Sequence, residues 1–123
     1  MFIEYNANPF KANIGDCMIR SISLALDMNY MDVFDGLIKI VDERGWELDE
    51  MRTGMQFLLD HDWEYVEPIN KITVSKLSKE IKSPMVAICK GHATYLDGNG
   101  NILDTWNPGR YKVKYGFMKR IDE

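Results

Sequence analysis

The sequence is poor in the features that mark several large classes of protein. Its 123 residues include only two cysteines, which does not suggest the disulfide framework of a small secreted domain. No apolar run approaches the roughly 20 residues that cross a bilayer, and Met1 to Phe10 lack the basic start and long apolar run of a signal peptide. We therefore expect one domain, residues 1–123, in the cytoplasm, with reduced thiols and no membrane contact.

Charge and motif content argue against further classes. The formal net charge is -4, and the basic residues near the C-terminus form no dense run, so we expect no nucleic-acid partner. The sequence has neither a GxGxxG motif nor a P-loop, and it lacks the CxxC and HxxxH spacings of zinc sites. We therefore predict no cofactor and no metal.

What the chain does contain divides into a helix-rich first part and a strand-rich second part. Residues 1–15 have many turn formers and are predicted to be irregular. Apolar spacing predicts four helices, at about 17–28, 31–44, 52–60 and 74–81. Strands are predicted at 85–89, 92–97, 102–106 and 111–121, the last with a bulge at Gly116. This order indicates an α+β fold with a C-terminal antiparallel β-sheet.

Three residues with reactive side chains fall at the ends of these elements. Cys17 opens the first helix, where unpaired N–H groups and the helix dipole lower the pKa of a thiol. Asp16 precedes it as a candidate N-cap, and Arg20 lies four residues later, where it can pair with that carboxylate. His92 opens a strand and is a candidate general base.

The register of the hairpin around residues 98–101 decides what orients His92. A two-residue turn places His92 opposite Asn107 and puts Asp104 on the other face of the sheet. A three-residue turn, residues 98–100, places His92 opposite Trp106 and puts Asp104 on the same face as His92. The sequence leaves both registers open.

These segments resemble the papain-like cysteine peptidases. In that family a Cys opens a central helix, a His-Ala segment opens a strand, and an Asn-Ser-Trp-Gly segment follows the hairpin. Here Gly15-Asp16-Cys17 opens a helix, His92-Ala93-Thr94 opens a strand, and Asp104-Thr105-Trp106-Asn107 follows. An Asp in the third position resembles the bacteriocin-processing and NlpC/P60-like relatives, and the short layout is similar to a group encoded by bacteriophages.

The resemblance implies a role for each matching residue. Cys17 takes the position of the nucleophile, His92 that of the base, and Asp104 that of the residue orienting the base, with Trp106 shielding their hydrogen bond. The family's oxyanion-donating Gln has Lys11 in its place, so Asn13 is the nearest amide that can replace it. Asn107 is a further candidate supporting residue.

Three functions follow as hypotheses, the third of which is a thiol-dependent sensor in which Cys17 is oxidised. The first is a cysteine peptidase or isopeptidase that acts on a protein or peptide through a thioester, with deamidation or acyl transfer as variants of the same chemistry. The second is a papain-like binding protein, motivated by Lys11, that sequesters a host protein in the host cytoplasm. A simpler alternative for Cys17 is a buried structural thiol, while Cys89, in an apolar strand, is predicted to be core.

Overall fold

Helices precede most of the strands in the chain. The computed structural model describes residues 1–10, 16–67 and 71–120. The helices in these ranges are α1 (Cys17–Leu26), α2 (Tyr30–Arg44), α3 (Met51–Asp60) and α4 (Val74–Glu80). The strands are β1 (Phe2–Glu4), β2 (Trp63–Val66), β3 (Met85–Cys89), β4 (His92–Leu96), β5 (Ile102–Asp104) and β6 (Tyr115–Lys119). The fold is α+β, as the order of sequence patterns predicted.

Local signals explain where the helices begin and end. The side chain of Asn29 accepts a hydrogen bond from the Met31 amide and caps α2, and Gly45 ends that helix with a left-handed φ of 69°. α1 stops two residues earlier than predicted, because Asp27 adopts a φ of 51° that breaks the helical path. None of the helices in the described residues is long and apolar enough to cross a membrane.

One six-stranded sheet runs in the order β1-β5-β4-β3-β6-β2. The predicted antiparallel sheet is wrong in one respect, because β1 pairs with β5 in the parallel direction and makes the sheet mixed. The prediction also missed β1 and β2. They have three and four residues, too few to show an alternating pattern, and they form at the edges of the sheet by pairing with distant strands.

The last strand is shorter than predicted and has no bulge at Gly116. Gly116 lies in regular register with Ala87 of β3 and Val66 of β2. A Cβ atom at this position would lie 2.8 Å from the Met85 sulfur and 3.0 Å from the Val86 carbonyl oxygen. The glycine therefore permits close packing between strands rather than an extra residue.

The sheet separates two apolar cores. One face packs on α1, α2 and α3 through Val86, Ile88, Ala93 and Phe117. The alternate residues of β3 face the other way and pack with α4. Because α1 packs on the first of these faces and beside β4, the first residue of α1 lies close to the beginning of that strand.

Candidate active site

The first residue of α1 is Cys17, and its thiol is half-buried. Asp16 occupies the N-cap position, as predicted, but its side chain makes no capping hydrogen bond to the first turn. The Asp16 carboxylate therefore does not cap the N–H groups of that turn. These groups and the helix dipole favour negative charge at the start of the helix.

The Asp16 carboxylate instead accepts hydrogen bonds from buried side chains. Arg20 Nη1 donates to Asp16 Oδ1 at 2.7 Å, which confirms the predicted pair. The Tyr30 hydroxyl donates to Asp16 Oδ2 at 2.7 Å, and Asn8 Nδ2 donates to the same oxygen at 3.1 Å. A buried carboxylate needs such partners, because an unpaired one carries a large desolvation cost.

The hairpin between β4 and β5 adopts the register that places Asp104 on the same face as His92. Leu96 pairs with Ile102, and the Asp97 amide donates to the Asn101 carbonyl, so the turn contains residues 98–100. Of the two registers that the sequence leaves open, the structure has the three-residue one. Residues two apart on a strand share a face, so in this register Asp104 lies on the same face as His92 and diagonally across the hairpin from it.

His92 and Asp104 form a buried hydrogen bond. His92 Nε2 and Asp104 Oδ2 are 2.7 Å apart, and the two residues are 6% and 5% exposed. The ring of Trp106 covers the imidazole, with ring centroids 4.5 Å apart, and is itself 41% exposed. Because Nε2 is engaged by Asp104, the other ring nitrogen, Nδ1, remains for a proton exchanged with Cys17.

The sulfur of Cys17 accepts a hydrogen bond from the Ala93 amide at an N···S distance of 3.5 Å. Burial raises the pKa of the Cys17 thiol, but interactions with His92, this amide and the charge of Arg20 outweigh burial and lower that pKa below its ordinary value. The thiolate is the reactive form, so every one of these contacts favours a nucleophile.

The pKa of His92 is shifted in the direction that favours a charged imidazolium beside the thiolate. Burial lowers the pKa of His92, yet interactions with Asp104 and Cys17 outweigh it and raise the pKa to about 9. Burial raises the pKa of Asp104, but the contacts of Asp104 with His92 and with the Thr105 amide outweigh burial and lower this pKa overall. The nearby Thr94 hydroxyl, on the same face of the sheet, also lowers the pKa of Asp104, although it forms no hydrogen bond with a described residue.

The remaining predicted residues divide into three outcomes. Trp106 lies over His92, as the resemblance implied. Asn107 does not reach the histidine: its side chain accepts from the Gly109 amide at 2.9 Å and stabilises the turn after β5. Asn13 and Lys11 lie outside the described residues.

The second cysteine does not take part in the site. Cys89 is 2% exposed in the core between the sheet and α4, as its apolar surroundings predicted. Burial, together with the charge of Asp104, raises the pKa of its thiol to about 11. Within the described residues, no group of three His, Cys, Asp or Glu side chains is arranged to hold a metal ion.

The sequence predicted the pair between Asp16 and Arg20, but it did not predict the second partner of Arg20. Arg20 Nη2 lies 3.6 Å from Asp104 Oδ1, so one guanidinium contacts carboxylates from both halves of the chain. The spacing of Asp16 and Arg20 signals only the local contact. The roles of Asn8, Tyr30 and the Ala93 amide depend on tertiary packing and leave no sequence signal.

The site therefore joins a thiol at a helix start, an imidazole and an orienting carboxylate, an arrangement suited to nucleophilic attack on a carbonyl carbon. Comparison of the chain with protein-family models, with curated proteins and with solved structures found no match to any of them.

Proposed function

We propose that this chain is a cysteine-dependent hydrolase that cleaves amide bonds, as a peptidase or isopeptidase, through Cys17, His92 and Asp104. The observation that supports it most is the buried 2.7 Å hydrogen bond between His92 and Asp104 next to a half-buried Cys17 thiol at a helix start. A structural cysteine needs neither a histidine nor a carboxylate behind that histidine. In a nucleophilic site the histidine activates the thiol, and the carboxylate orients the histidine.

The first chemical step is acylation of the thiol. The Cys17 thiolate attacks the carbonyl carbon of the amide, and a C–S bond forms. The C–N bond then breaks, and the proton on the His92 imidazolium passes to the leaving nitrogen. The Cys17 backbone N–H, at the start of α1, donates to the oxyanion that develops on the carbonyl oxygen.

The second step is hydrolysis of the thioester. Neutral His92 accepts a proton from water while the oxygen of that water adds to the thioester carbonyl carbon. The C–S bond breaks, a carboxylic acid leaves, and the thiolate–imidazolium pair is restored. Asp104 stays ionised throughout, because the hydrogen bond from His92 favours its charged form.

The likeness to papain-like peptidases belongs to the same proposal. It is supported by the order of Cys17, His92 and Asp104 along an α+β chain and by a tryptophan over the histidine. On this proposal the chain is a compact, bacteriophage-type member of that group. Its substrate is then a protein or peptide, of which a host protein is one candidate.

A binding role is the second candidate function. Trp106 and Tyr111 contact one another, with ring centroids 5.3 Å apart, and are 41% and 45% exposed. Exposed aromatic side chains are common anchors of protein interfaces. Such a surface next to His92 suits either a substrate or a sequestered partner.

The reactivity of Cys17 separates these functions. The purified protein is treated with limiting iodoacetamide from about pH 5 to about pH 9, and the label is located by mass spectrometry, beside a His92→Ala variant. We expect fast labelling of Cys17 at about pH 6 that is lost in the variant, while buried Cys89 stays unlabelled. Labelling that follows an ordinary thiol titration in both proteins would overturn the hydrolase and leave the binding role.

A further inference from the structure

A groove of about 610 Å³ lies beside α4 and is lined by none of Cys17, His92 and Asp104; we call it the α4 groove. Its aliphatic wall extends outwards from the core between the sheet and α4, where Leu77 and Met85 are only 8% and 3% exposed. Four partly buried side chains continue this wall towards solvent: Val66, Ile72, Ile81 and Met118. The volume is within the range of about 300–1,000 Å³ that is usual for sites of small ligands.

Three exposed lysines, Lys71, Lys76 and Lys112, line the same groove. No carboxylate of a described residue lies within 4 Å of their side-chain nitrogens, so their charges are available to a ligand. Glu67 and Glu80 also line the groove. Three cations against two anions leave one positive charge in excess, which favours a group with a single negative charge over a doubly charged phosphate.

The part of the chain that forms most of the groove is positively charged, although the whole chain is not. Residues 71–123 contain ten of the 15 basic residues and only five of the 19 acidic ones. Such an imbalance creates a field that attracts anions to this side of the molecule.

The lining of the α4 groove restricts what the body of the ligand can be. Among the described residues, its one uncharged polar side chain is Thr73, whose hydroxyl accepts a hydrogen bond from the Lys76 amide at 3.2 Å. A peptide main chain or a sugar against this wall would leave polar groups unpaired, which is costly. None of the described residues that line the groove is aromatic, so a planar ring finds no ring to stack on. An alkyl chain needs neither kind of partner.

We infer that the α4 groove binds an unbranched aliphatic carboxylate, that is, a fatty acid, with its carboxylate at the three lysines and its alkyl chain along the aliphatic wall. Met85 and Met118 are suited to this wall, because the flexible thioether side chain adapts to chains of different shape. The inference goes beyond the proposed function, since the groove contains no reactive side chain of the candidate active site and binds its ligand whether or not Cys17 cleaves amides.

Isothermal titration calorimetry measures the binding of octanoate and decanoate, each kept below its critical micelle concentration. We expect one molecule to bind per chain. Each methylene group removed from water strengthens binding by about fourfold, so decanoate should bind roughly 15-fold more tightly than octanoate. Decyltrimethylammonium has a chain of the same length and a cationic head, and it should bind at least about tenfold more weakly than decanoate. Cys17→Ala should bind decanoate as the wild type does.

Two pairs of exposed lysines provide matched variants. Lys76→Glu and Lys79→Glu make the same change of charge on the same helix, but only Lys76 lines the α4 groove. Lys112 and Lys114 form the second pair, of which only Lys112 lines it. We expect Lys76→Glu and Lys112→Glu to weaken decanoate binding by at least about tenfold, and the two control variants by less than about threefold. Thermal unfolding is measured for all four, and the second pair serves if a variant of the first does not fold.

Several results would overturn the inference. Equal affinities for octanoate and decanoate would show that the alkyl chain stays in water. Equal weakening by both members of each lysine pair would indicate a diffuse attraction to the surface rather than a site. The tripeptide acetyl-Leu-Leu-Leu carries a free carboxylate on an apolar peptide, and tighter binding of it than of decanoate would make the occupant a polypeptide. Loss of decanoate binding in Cys17→Ala would place the ligand in the candidate active site, whereas slow iodoacetamide labelling bears only on the proposed hydrolase.

Discussion

Arg20 Nη2 lies 3.6 Å from Asp104 Oδ1, so a residue of the helix that begins at Cys17 contacts the carboxylate that is hydrogen-bonded to His92. The same guanidinium binds Asp16 at 2.7 Å, and Arg20 is only 7% exposed. One buried cation thus lies between two buried anions, one at the start of α1 and one at the end of β5. The arrangement links the two halves of the site through charge.

Removal of Arg20 tests this link. We expect Arg20→Met to raise the pKa of Cys17, because a positive charge near the sulfur is lost and Asp16 is left without its cation. Labelling by iodoacetamide at about pH 6 should slow by roughly tenfold for each unit by which that pKa rises. Breaking a buried ion pair from one side costs about 3–5 kcal/mol of stability, so urea unfolding is measured in parallel.

A double variant separates the two contacts of Arg20. Asp16→Asn with Arg20→Met removes both members of the local pair and leaves Asp104 with His92 as its partner but without Arg20. We expect stability to recover substantially and slow labelling to persist. Full recovery of the wild-type pH profile would mean that Arg20 serves only to neutralise Asp16, and that its contact with Asp104 has no effect on the thiol.

The proton balance of the site predicts a pH effect of Asp104→Asn. The pKa of His92 is raised to about 9, so its imidazolium persists well above the ordinary value of 6.5. Without the carboxylate, the pKa falls towards 6.5, and between these values Cys17 loses its cationic partner. We expect labelling at about pH 8 to slow by about fourfold or more, because a thiol without an imidazolium partner returns towards its ordinary pKa of about 8.5 and is then mostly protonated at that pH.

Proton NMR of the imidazole rings measures this directly. The chain has two histidines, so the His92 resonances are assigned by comparison with His92→Ala. A titration midpoint near 9 in the wild type and a lower one in Asp104→Asn are expected. An unchanged midpoint in the variant would show that Asp104 does not maintain the charge of the ring.

Apolar periodicity and helix-end signals in the sequence predicted most of the elements, whereas the remaining elements depend on tertiary pairing. α2 shows regular apolar spacing, an asparagine cap and a glycine stop, and each of these acts within a few residues. β1 pairs with a strand about a hundred residues later, and no local pattern encodes such pairing. The short edge strands were missed for that reason.

The same distinction applies to the candidate site. Cys17, His92 and Asp104 were identified from their residue types and from their places at element ends. Whether Asp104 shares a face with His92 depended on one residue of hairpin register, and both registers suited the glycine-rich turn. The second contact of Arg20 joins residues 84 positions apart and followed only from the packed structure.

The hairpin register predicts different costs at two glycines of the turn. Gly98 and Gly100 have φ values of 81° and 89°, which side chains rarely adopt. A Cβ at Gly98 would lie 2.7 Å from the Ser83 carbonyl carbon, whereas a Cβ at Gly100 meets nothing within 4 Å. Both alanine variants carry backbone strain of about 1–3 kcal/mol, and only Gly98→Ala adds a clash.

Chemical denaturation compares the two variants. We expect Gly98→Ala to lower the free energy of unfolding by at least about 1 kcal/mol more than Gly100→Ala does. Because the turn sets the position of Asp104, Gly98→Ala should also slow Cys17 labelling under conditions where it stays folded. Equal destabilisation by the two substitutions would mean that the segment around Ser83 yields to the added methyl group.

The ring of Trp106 covers the imidazole of His92, and its removal is expected to slow the labelling of Cys17. Trp106 contacts the imidazole at a centroid distance of 4.5 Å, while its neighbour Tyr111 contacts Trp106 but forms no ring contact with His92 among the described residues. In Trp106→Ala, water reaches the His92–Asp104 hydrogen bond and weakens it by raising the local dielectric. Aromatic contacts of this kind are worth about 0.5–1.5 kcal/mol, so the labelling rate at about pH 7 should fall by up to roughly tenfold.

Tyr111→Ala is the control, expected to retain most of the rate, and Trp106→Phe should restore part of it. If both alanine variants lose the rate equally, the two rings act as one cover; if neither does, the bond between His92 and Asp104 needs no shielding by Trp106.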